Sequence, residues 1–304
     1  MNATMSIPSL SIISPVKNGE TYFQIAINSL KAQVGSFDLE YVVVDGQSDD
    51  HTLEIAGTNA DIISKCYSEP DGGMYDALSK GFEQTTGEIM GWINADDVYF
   101  PWALDTVTKV FSDLPEVEWI STLNPVAINE HGNIFSVRHI AGFSREAFID
   151  GIYVGYHGFS NPYSCDFIQQ ESTFWRRKLW DRIGPDPLSH YRVERRQAGD
   201  FSLWAQFTAE TELYGLVPPF CAWRQHPNQF TDPETFVMEM ERSVGSLRKE
   251  MDYKGFKPPP DEFMEYTGKY LVSSNTGSWK TLEKSFFVLP KSDLKSTIAQ
   301  GTVF

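Results

Sequence analysis

Gly91-Trp92-Ile93-Asn94-Ala95-Asp96-Asp97, with the apolar run from Glu88 that leads into it, decides the fold. Apolar residues that break into a turn cluster read as a buried strand ending at a loop. Two adjacent carboxylates at the C-terminal end of a strand lie where open α/β sheets bind ligands. Carboxylate oxygens beside water suit a hard divalent cation such as Mg²⁺ or Mn²⁺, which can hold a diphosphate. Read in isolation, the same residues are a solvated turn with helix-capping aspartates. The rest of the chain argues for the first reading.

Working back toward the N-terminus, Leu10 to Ser14 is a short apolar run ending at Pro15, the expected first strand. Phe23, Ile27, Leu30 and Val34 recur at helical spacing, and Gly35-Ser36 closes that helix. Leu39 to Val44 carries three consecutive valines, as a parallel strand covered on both faces should. It ends in Asp45-Gly46-Gln47-Ser48-Asp49-Asp50, and a helix begins near Thr52. The acidic loop is not a calcium-binding EF-hand, because Gly follows the first Asp directly and Ala56 stands where a Glu is needed. Asp45 either accepts hydrogen bonds from a ribose or base in the crevice or merely helps to turn the chain.

Ile62 to Tyr67 is a third strand, followed by Asp71-Gly72-Gly73 at the start of a helix whose expected apolar face is Met74, Leu78 and Phe82. The glycines permit close backbone approach to a ligand. Lys80 lies off that face, free to meet charge or to pair with Asp76 at i,i+4. Strands alternating with helices up to Asp97 predict a right-handed, mostly parallel α/β sheet.

Beyond Asp97 the pattern predicts a helix over 101–111, a strand over 117–123 and an edge hairpin turning at Asn129 to Asn133. Residues 138–168 mix Gly, Pro and aromatics, a long irregular stretch expected to face an acceptor. Arg176 and Arg177 are candidates for phosphate contacts, one of them expected on a solvated face. Asp200 opens a helix, where a carboxylate either caps the helix or faces a cleft. Val217 to Trp223 contains Pro218-Pro219 and reads as an edge strand at best. His226 can reach a metal or diphosphate. From Glu234 to Lys249 the chain reads as a charged amphipathic helix, and the tail after Asp252, with Pro258-Pro259-Pro260, shows weak helical patterns.

The 304 residues suffice for one large domain or two modest ones. A formal net charge of -16 argues against nucleic-acid binding and against broad attachment to an anionic membrane. The 3 cysteines are too far apart for a metal cluster or a disulfide framework, which suggests a reducing compartment. No signal peptide or apolar run of ~20 residues stands out, so a cytoplasmic location is expected.

Taken in order, Leu10 to Pro15, Val42 to Asp50, Asp71 to Gly81 and Gly87 to Asp97 resemble the family 2 glycosyltransferases of the GT-A fold. Gln170 to Arg177, Gly199 to Trp204 and His226 to Thr231 resemble that family's later motifs. The resemblance implies a GT-A domain over 1–231, with a nucleotide-sugar half at about 8–125 and an acceptor half at 126–231. A C-terminal helical extension over 232–304 follows. It implies an inverting transfer from a nucleotide-diphosphate sugar to an acceptor hydroxyl, with Mn²⁺ or Mg²⁺ as cofactor. By the same resemblance, Pro15, Asp45, Asp71, Gly72, Gly73, Lys80, Asn94 and Asp96 bind the nucleotide sugar. Asp96, Asp97 and His226 take the metal, Gln170, Glu171 and Arg176 lie on the acceptor side, and Asp200 is the general base. Asn94 departs from the family, which carries an acid there, and so does Ser202. A glycan or lipid-linked acceptor is implied, the latter with contact at the cytosolic membrane face, and family precedent points to bacterial surface polysaccharide. The competing readings are a nucleotidyltransferase, disfavoured by the lack of a Gly-rich basic loop at Ser14 to Glu20, and a non-catalytic nucleotide- or sugar-binding protein.

Overall fold

A computed structural model describes residues 7–156, 159–160, 167–192, 197–227, 229, 231–253, 264–274 and 276–288. The first half runs β1 (Ser9–Val16), α1 (Phe23–Lys31), β2 (Asp38–Asp45), α2 (Thr52–Thr58), β3 (Ile63–Ser68), α3 (Met74–Glu83) and β4 (Ile89–Trp92). Next come β5 (Val98–Tyr99), α4 (Ala103–Asp113), β6 (Trp119–Thr122), β7 (Val126–Ile128), β8 (Ile134–Val137), α5 (Arg145–Ile149), β9 (Gly155–Tyr156) and β10 (Phe159–Ser160). The remainder is β11 (Phe174–Arg176), α6 (Arg177–Ile183), α7 (Gly199–Glu210), β12 (Leu213–Leu216), β13 (Cys221–Arg224), α8 (Pro233–Glu250), β14 (Met264–Ser273) and β15 (Trp279–Val288).

The main sheet has nine strands in the order β15-β14-β12-β6-β11-β4-β1-β2-β3. β1 pairs in parallel with both β2 and β4, and β12 in parallel with β6 and β14. β11 is antiparallel to β4 and to β6, between which it lies. Side-chain alternation divides the core. Ile13, Val42 and Val44 face α3, whereas Leu10, Ile12, Tyr41 and Val43 face α1 and α4. This is why the valine run shows no polar position: both faces are covered. Because α1 and α3 lie on opposite faces, the order reverses between β1 and β4, and the crevice beyond their C-terminal ends is where such sheets bind ligands.

Several local expectations change. Pro15 does not end β1; it lies buried within it opposite Val44, near the strand's end. Val34 falls beyond α1 and is exposed, the chain having left the helix for Gly35 in the left-handed region at φ 105°. Met74 is exposed, and α3 buries Tyr75 beside Leu78 and Phe82. β13 starts after the two prolines and is an inner strand of a second sheet, β5-β13-β7-β8, with the predicted hairpin at its edge.

The expected helical extension is α8 followed by a β-hairpin. β14 and β15 pair over their full length, and β14 adds to β12 at the end of the main sheet. The alternation that buries Met264, Tyr266 and Gly268 and exposes Glu265 and Thr267 favours a strand over a helix. Within 138–168, Phe143 and Tyr153 are buried in the core, where the Tyr153 hydroxyl donates to Gly142 O at 2.9 Å, so these two rings are structural and not acceptor-facing. Residues 157–158 and 161–166 of that stretch, and Pro258 to Pro260, lie outside the described residues.

Candidate active site

At the end of β4 the chain delivers Asn94, Asp96 and Asp97 to the crevice. Asp96 Oδ2 lies 3.0 Å from His226 Nε2, and both side chains are partly solvent-exposed. Arg224, buried just ahead of His226, braces this pair: its Nε donates to Asp96 O at 2.7 Å and its backbone N–H donates to Asp97 Oδ1 at 2.7 Å. The guanidinium sits 4.7 Å from the centre of the Tyr22 ring, which lies 5.0 Å from the His226 ring. Arg224 was not singled out in the sequence, and its signal was only its closeness to His226.

Asp97 turns the other way. It is buried, and burial, reinforced by the charges of Asp96 and Glu171, drives its carboxyl well above the usual range. Glu171 is pushed up to about 7, chiefly by burial. A hydrogen bond between the two carboxyls raises Asp97 and lowers Glu171, which favours the shared proton on Asp97. Asp97 points into the interior while Asp96 keeps a path to solvent. Asn94 Nδ2 donates to Asp97 Oδ2 at 3.1 Å and to Glu171 Oε1 at 3.2 Å. An acid at position 94 would add a third carboxylate to this buried pair. Asn94 Oδ1 is buried with no protein donor among the described residues. Gln170 donates to Trp92 O at 2.8 Å and so secures the end of β4.

Two other loops line the crevice. Asp45 is fully buried and accepts from Ser48 N at 3.1 Å and from Ser68 Oγ at 2.6 Å. It organises its own loop, as the turn reading expects. Asp71 packs against Gly46, where an added Cβ would lie 2.6 Å from its Oδ2, and accepts Gly73 N–H at 2.9 Å. Gly73 has φ 121°, a conformation that favours glycine. Lys80 makes the i,i+4 pair with Asp76 at 3.2 Å, pairs with Glu69 at 3.1 Å and donates to Pro70 O at 2.8 Å. Burial alone would raise the Asp76 carboxyl, but Gly72 N–H, Arg192 and Lys80 together hold it below its ordinary value.

Asp200 lies in the first turn of α7, its Oδ1 accepting Phe201 N–H at 2.7 Å, with the Tyr75 hydroxyl 3.4 Å away. Burial pushes its carboxyl up to about 7. Trp204, one turn on, stacks on Trp92 at 5.9 Å between ring centres and joins α7 to the end of β4. Such aromatic pairs are worth ~0.5–1.5 kcal/mol beyond burial. Asp200 and Glu171 lie within electrostatic reach of each other.

Arg176 does not reach the site. It is buried at the opposite end of β11, donating to Val117 O at 2.9 Å, to Leu114 O at 3.2 Å and to Glu88 Oε1 at 2.6 Å. Glu171 precedes β11 and Arg176 ends it, so the two emerge at opposite ends of that strand. Arg177 donates to Gly87 O at 2.7 Å and is likewise structural.

Among the described residues no cluster of three His, Cys, Asp or Glu side chains forms a metal cage. Asp96 and His226 could offer two donors to a cation that takes the rest of its shell from diphosphate and water. No helix among the described residues is long and apolar enough to cross a membrane.

Comparison with known proteins bears on this geometry. Residues 11–124 match the family model for glycosyl transferase family 2. An uncharacterized glycosyltransferase of Rickettsia prowazekii is 26% identical over 252 residues, 82% of this chain and 74% of that protein. A PGL/p-HBAD biosynthesis glycosyltransferase of Mycobacterium bovis is 32% identical over 117 residues, 38% of this chain and 44% of that one. In structure, TarS of S. aureus superposes with a TM-score of 0.57 at 17% identity, over 78% of this chain and 39% of TarS. A TarS fragment, residues 1–349, in complex with UDP-GlcNAc superposes at 0.55 and 16% identity, over 79% of this chain and 66% of the fragment. Mannosyl-3-phosphoglycerate synthase from Rubrobacter xylanophilus superposes at 0.51 and 16% identity, over 94% of this chain and 89% of that enzyme. These likenesses establish the α/β fold of the GT-A type.

Proposed function

We propose that this chain, a glycosyltransferase with a family 2 module over residues 11–124, moves a sugar from a nucleotide diphosphate to an acceptor hydroxyl with inversion. The observation that carries this reading is Asp200, a carboxyl raised to about 7 at the start of α7, in electrostatic reach of Glu171, which also senses Asp96. A general base works best with a pKa near the working pH. A single inverting displacement needs a base opposite a stabilised leaving group and no protein nucleophile.

In this reading the diphosphate lies at the Asp96–His226 pair. A divalent cation bound there would neutralise the charge that develops on the leaving group. Asn94 turns an Oδ1 with no protein donor among the described residues toward the donor side, Asp71 and the Gly72-Gly73 backbone border the donor, and Asp45 shapes the base-side loop. Pro15 supports that loop from within β1, and Lys80 holds the start of α3. Glu171 and Gln170 stand between donor and acceptor. Ionised Asp200 takes the acceptor proton as the hydroxyl oxygen bonds to the anomeric carbon and the diphosphate leaves. Its carboxylate must be free of its proton, so transfer should rise with pH through about 7. The acceptor we favour is a glycan or lipid-linked hydroxyl in bacterial surface polysaccharide or glycan biosynthesis; the mycobacterial relative is named for PGL/p-HBAD biosynthesis.

The test is release of UDP, GDP, CDP or dTDP from the matching sugar nucleotides, with Mn²⁺ or with chelator, in wild type and in Asp200→Asn. Release from one donor by wild type, lost in the variant, supports the reading. Undiminished transfer by Asp200→Asn would sink it.

A further inference from the structure

Asp200 owes its place to a helix that follows the family-like part of the chain. Glu239, on α8 and 4% exposed, turns its carboxylate toward the chain entering α7. Its Oε2 accepts two successive backbone N–H groups, from Gln197 at 2.9 Å and Ala198 at 3.0 Å. Hydrogen bonds to an ionised acceptor are about twice as strong as neutral ones. Gln197 is also held from two other sides. Its carbonyl accepts from the Tyr75 hydroxyl at 2.6 Å, and its side-chain Oε1 accepts the Asp232 N–H at 2.7 Å. Asp232 is itself the N-cap of α8, accepting Thr235 N–H at 2.9 Å. The entry to α7 and the start of α8 therefore fix each other, and Asp200 follows two residues after Ala198.

We propose that Glu239 is a positioning residue for the transfer reaction, holding Gln197 and Ala198 so that Asp200 meets the acceptor hydroxyl at a fixed distance and angle. This inference rests on Asp200 being the base. It makes α8 part of the catalytic apparatus instead of an appendage. The described groups that face Asp200 are Tyr75 from α3, Glu239 from α8 and Glu171 from the turn before β11. Burial raises Asp200 first, and the Glu239 charge adds to it. Removing that charge should lower the Asp200 midpoint, which loss of a purely structural contact would leave in place.

The experiment uses the full chain. Carboxyl ¹³C NMR titration follows Asp200, assigned by its absence in Asp200→Asn, and amide hydrogen exchange follows residues 197–200. Glu239→Gln keeps an oxygen for both amides and should fold as wild type does. Its Asp200 midpoint should move to lower pH, and the acid limb of donor turnover should move with it. Glu239→Ala should speed exchange at 197–198 by tenfold or more while the middle of α7 stays protected. It should also lower kcat about 10- to 100-fold with donor KM unchanged, the scale expected for a displaced catalytic group. An unmoved midpoint in Glu239→Gln together with unchanged exchange in Glu239→Ala would overturn the inference. Full transfer by Asp200→Asn would overturn the base reading instead, and would leave the exchange result standing.

Discussion

The carboxylates on the two sides of the crevice differ in what surrounds them. Beside the glycine turn, Asp76 is met by Lys80 and Arg192 and stays below its ordinary value. Across the crevice, Asp200 is half-buried and Glu171 buried, no Lys or Arg among the described residues bonds to either, and both rise to about 7. Identical chemical groups thus shift in opposite directions on the two sides. Desolvation raises all three, and at Asp76 the Gly72 N–H with Arg192 and Lys80 outweighs it.

The strongest test of this contrast is Asp200→Asn, which should cost about 10²–10⁴-fold in transfer rate with nucleotide affinity kept. Equal loss of nucleotide affinity would place Asp200 among the donor-binding groups. Next in size is Arg176→Ala. Leaving three buried carbonyls without their donor should cost about 1–3 kcal/mol each in denaturant unfolding, and the exposed Glu88 should add little. Nucleotide affinity should be unchanged once folding is corrected for, and a selective loss of it would return Arg176 to the site.

Ligand-induced stabilisation gives a third measurement. The preferred nucleotide with Mn²⁺, at ~100 times its dissociation constant, should add ~2.7 kcal/mol to the wild type and little to Asp96→Ala or His226→Ala. Equal stabilisation of these variants would remove the cation from this pair. A smaller effect separates the two sides by pH. The folded-state value of Asp200 is raised, so the native state holds a proton that the unfolded chain releases, and stability falls as pH rises from about 3.8 to about 7. Asp200→Asn should therefore melt above wild type at pH 8 and level with it at pH 3.5. Asp76, held low, should act with the opposite sign, its contribution being lost as pH falls below its ordinary 3.8. The smallest effect is expected from Lys80→Met. Its ion pairs sit at the edge of solvent, so unfolding should change by about 0–1 kcal/mol.

Much of the parallel half was legible because local pattern and tertiary role coincide there. The apolar runs of β1 and β2 are unbroken because both faces are buried, and Asp96 follows from the break at the end of β4. Asp200 was legible as a lone acid at a helix start. What escaped was set by distant partners. β11 is three residues long, too short for any periodicity, and Arg176 looks like a phosphate ligand until the carbonyls around it are seen. The acid pairing of Asp97 with Glu171, and the hold of Glu239 on Gln197, join residues far apart in sequence that no spacing rule connects. The C-terminal hairpin is a different case. The alternation at Met264 to Gly268 is a strand pattern, but it follows a proline run that reads as a tail.

The insertion of β11 between β4 and β6 has a consequence for how the chain comes into being. β4 ends at Trp92, and the strand that covers its free edge begins only at Phe174. On a ribosome adding ~5–20 residues per second, that edge stays open for several seconds after β1 to β4 have emerged. The nascent sheet thus passes through an interval with bare backbone hydrogen-bonding groups in its middle. Newly made chains should depend on chaperones most during that interval, and a pause in translation ahead of residue 174 should raise aggregation more than one placed after it.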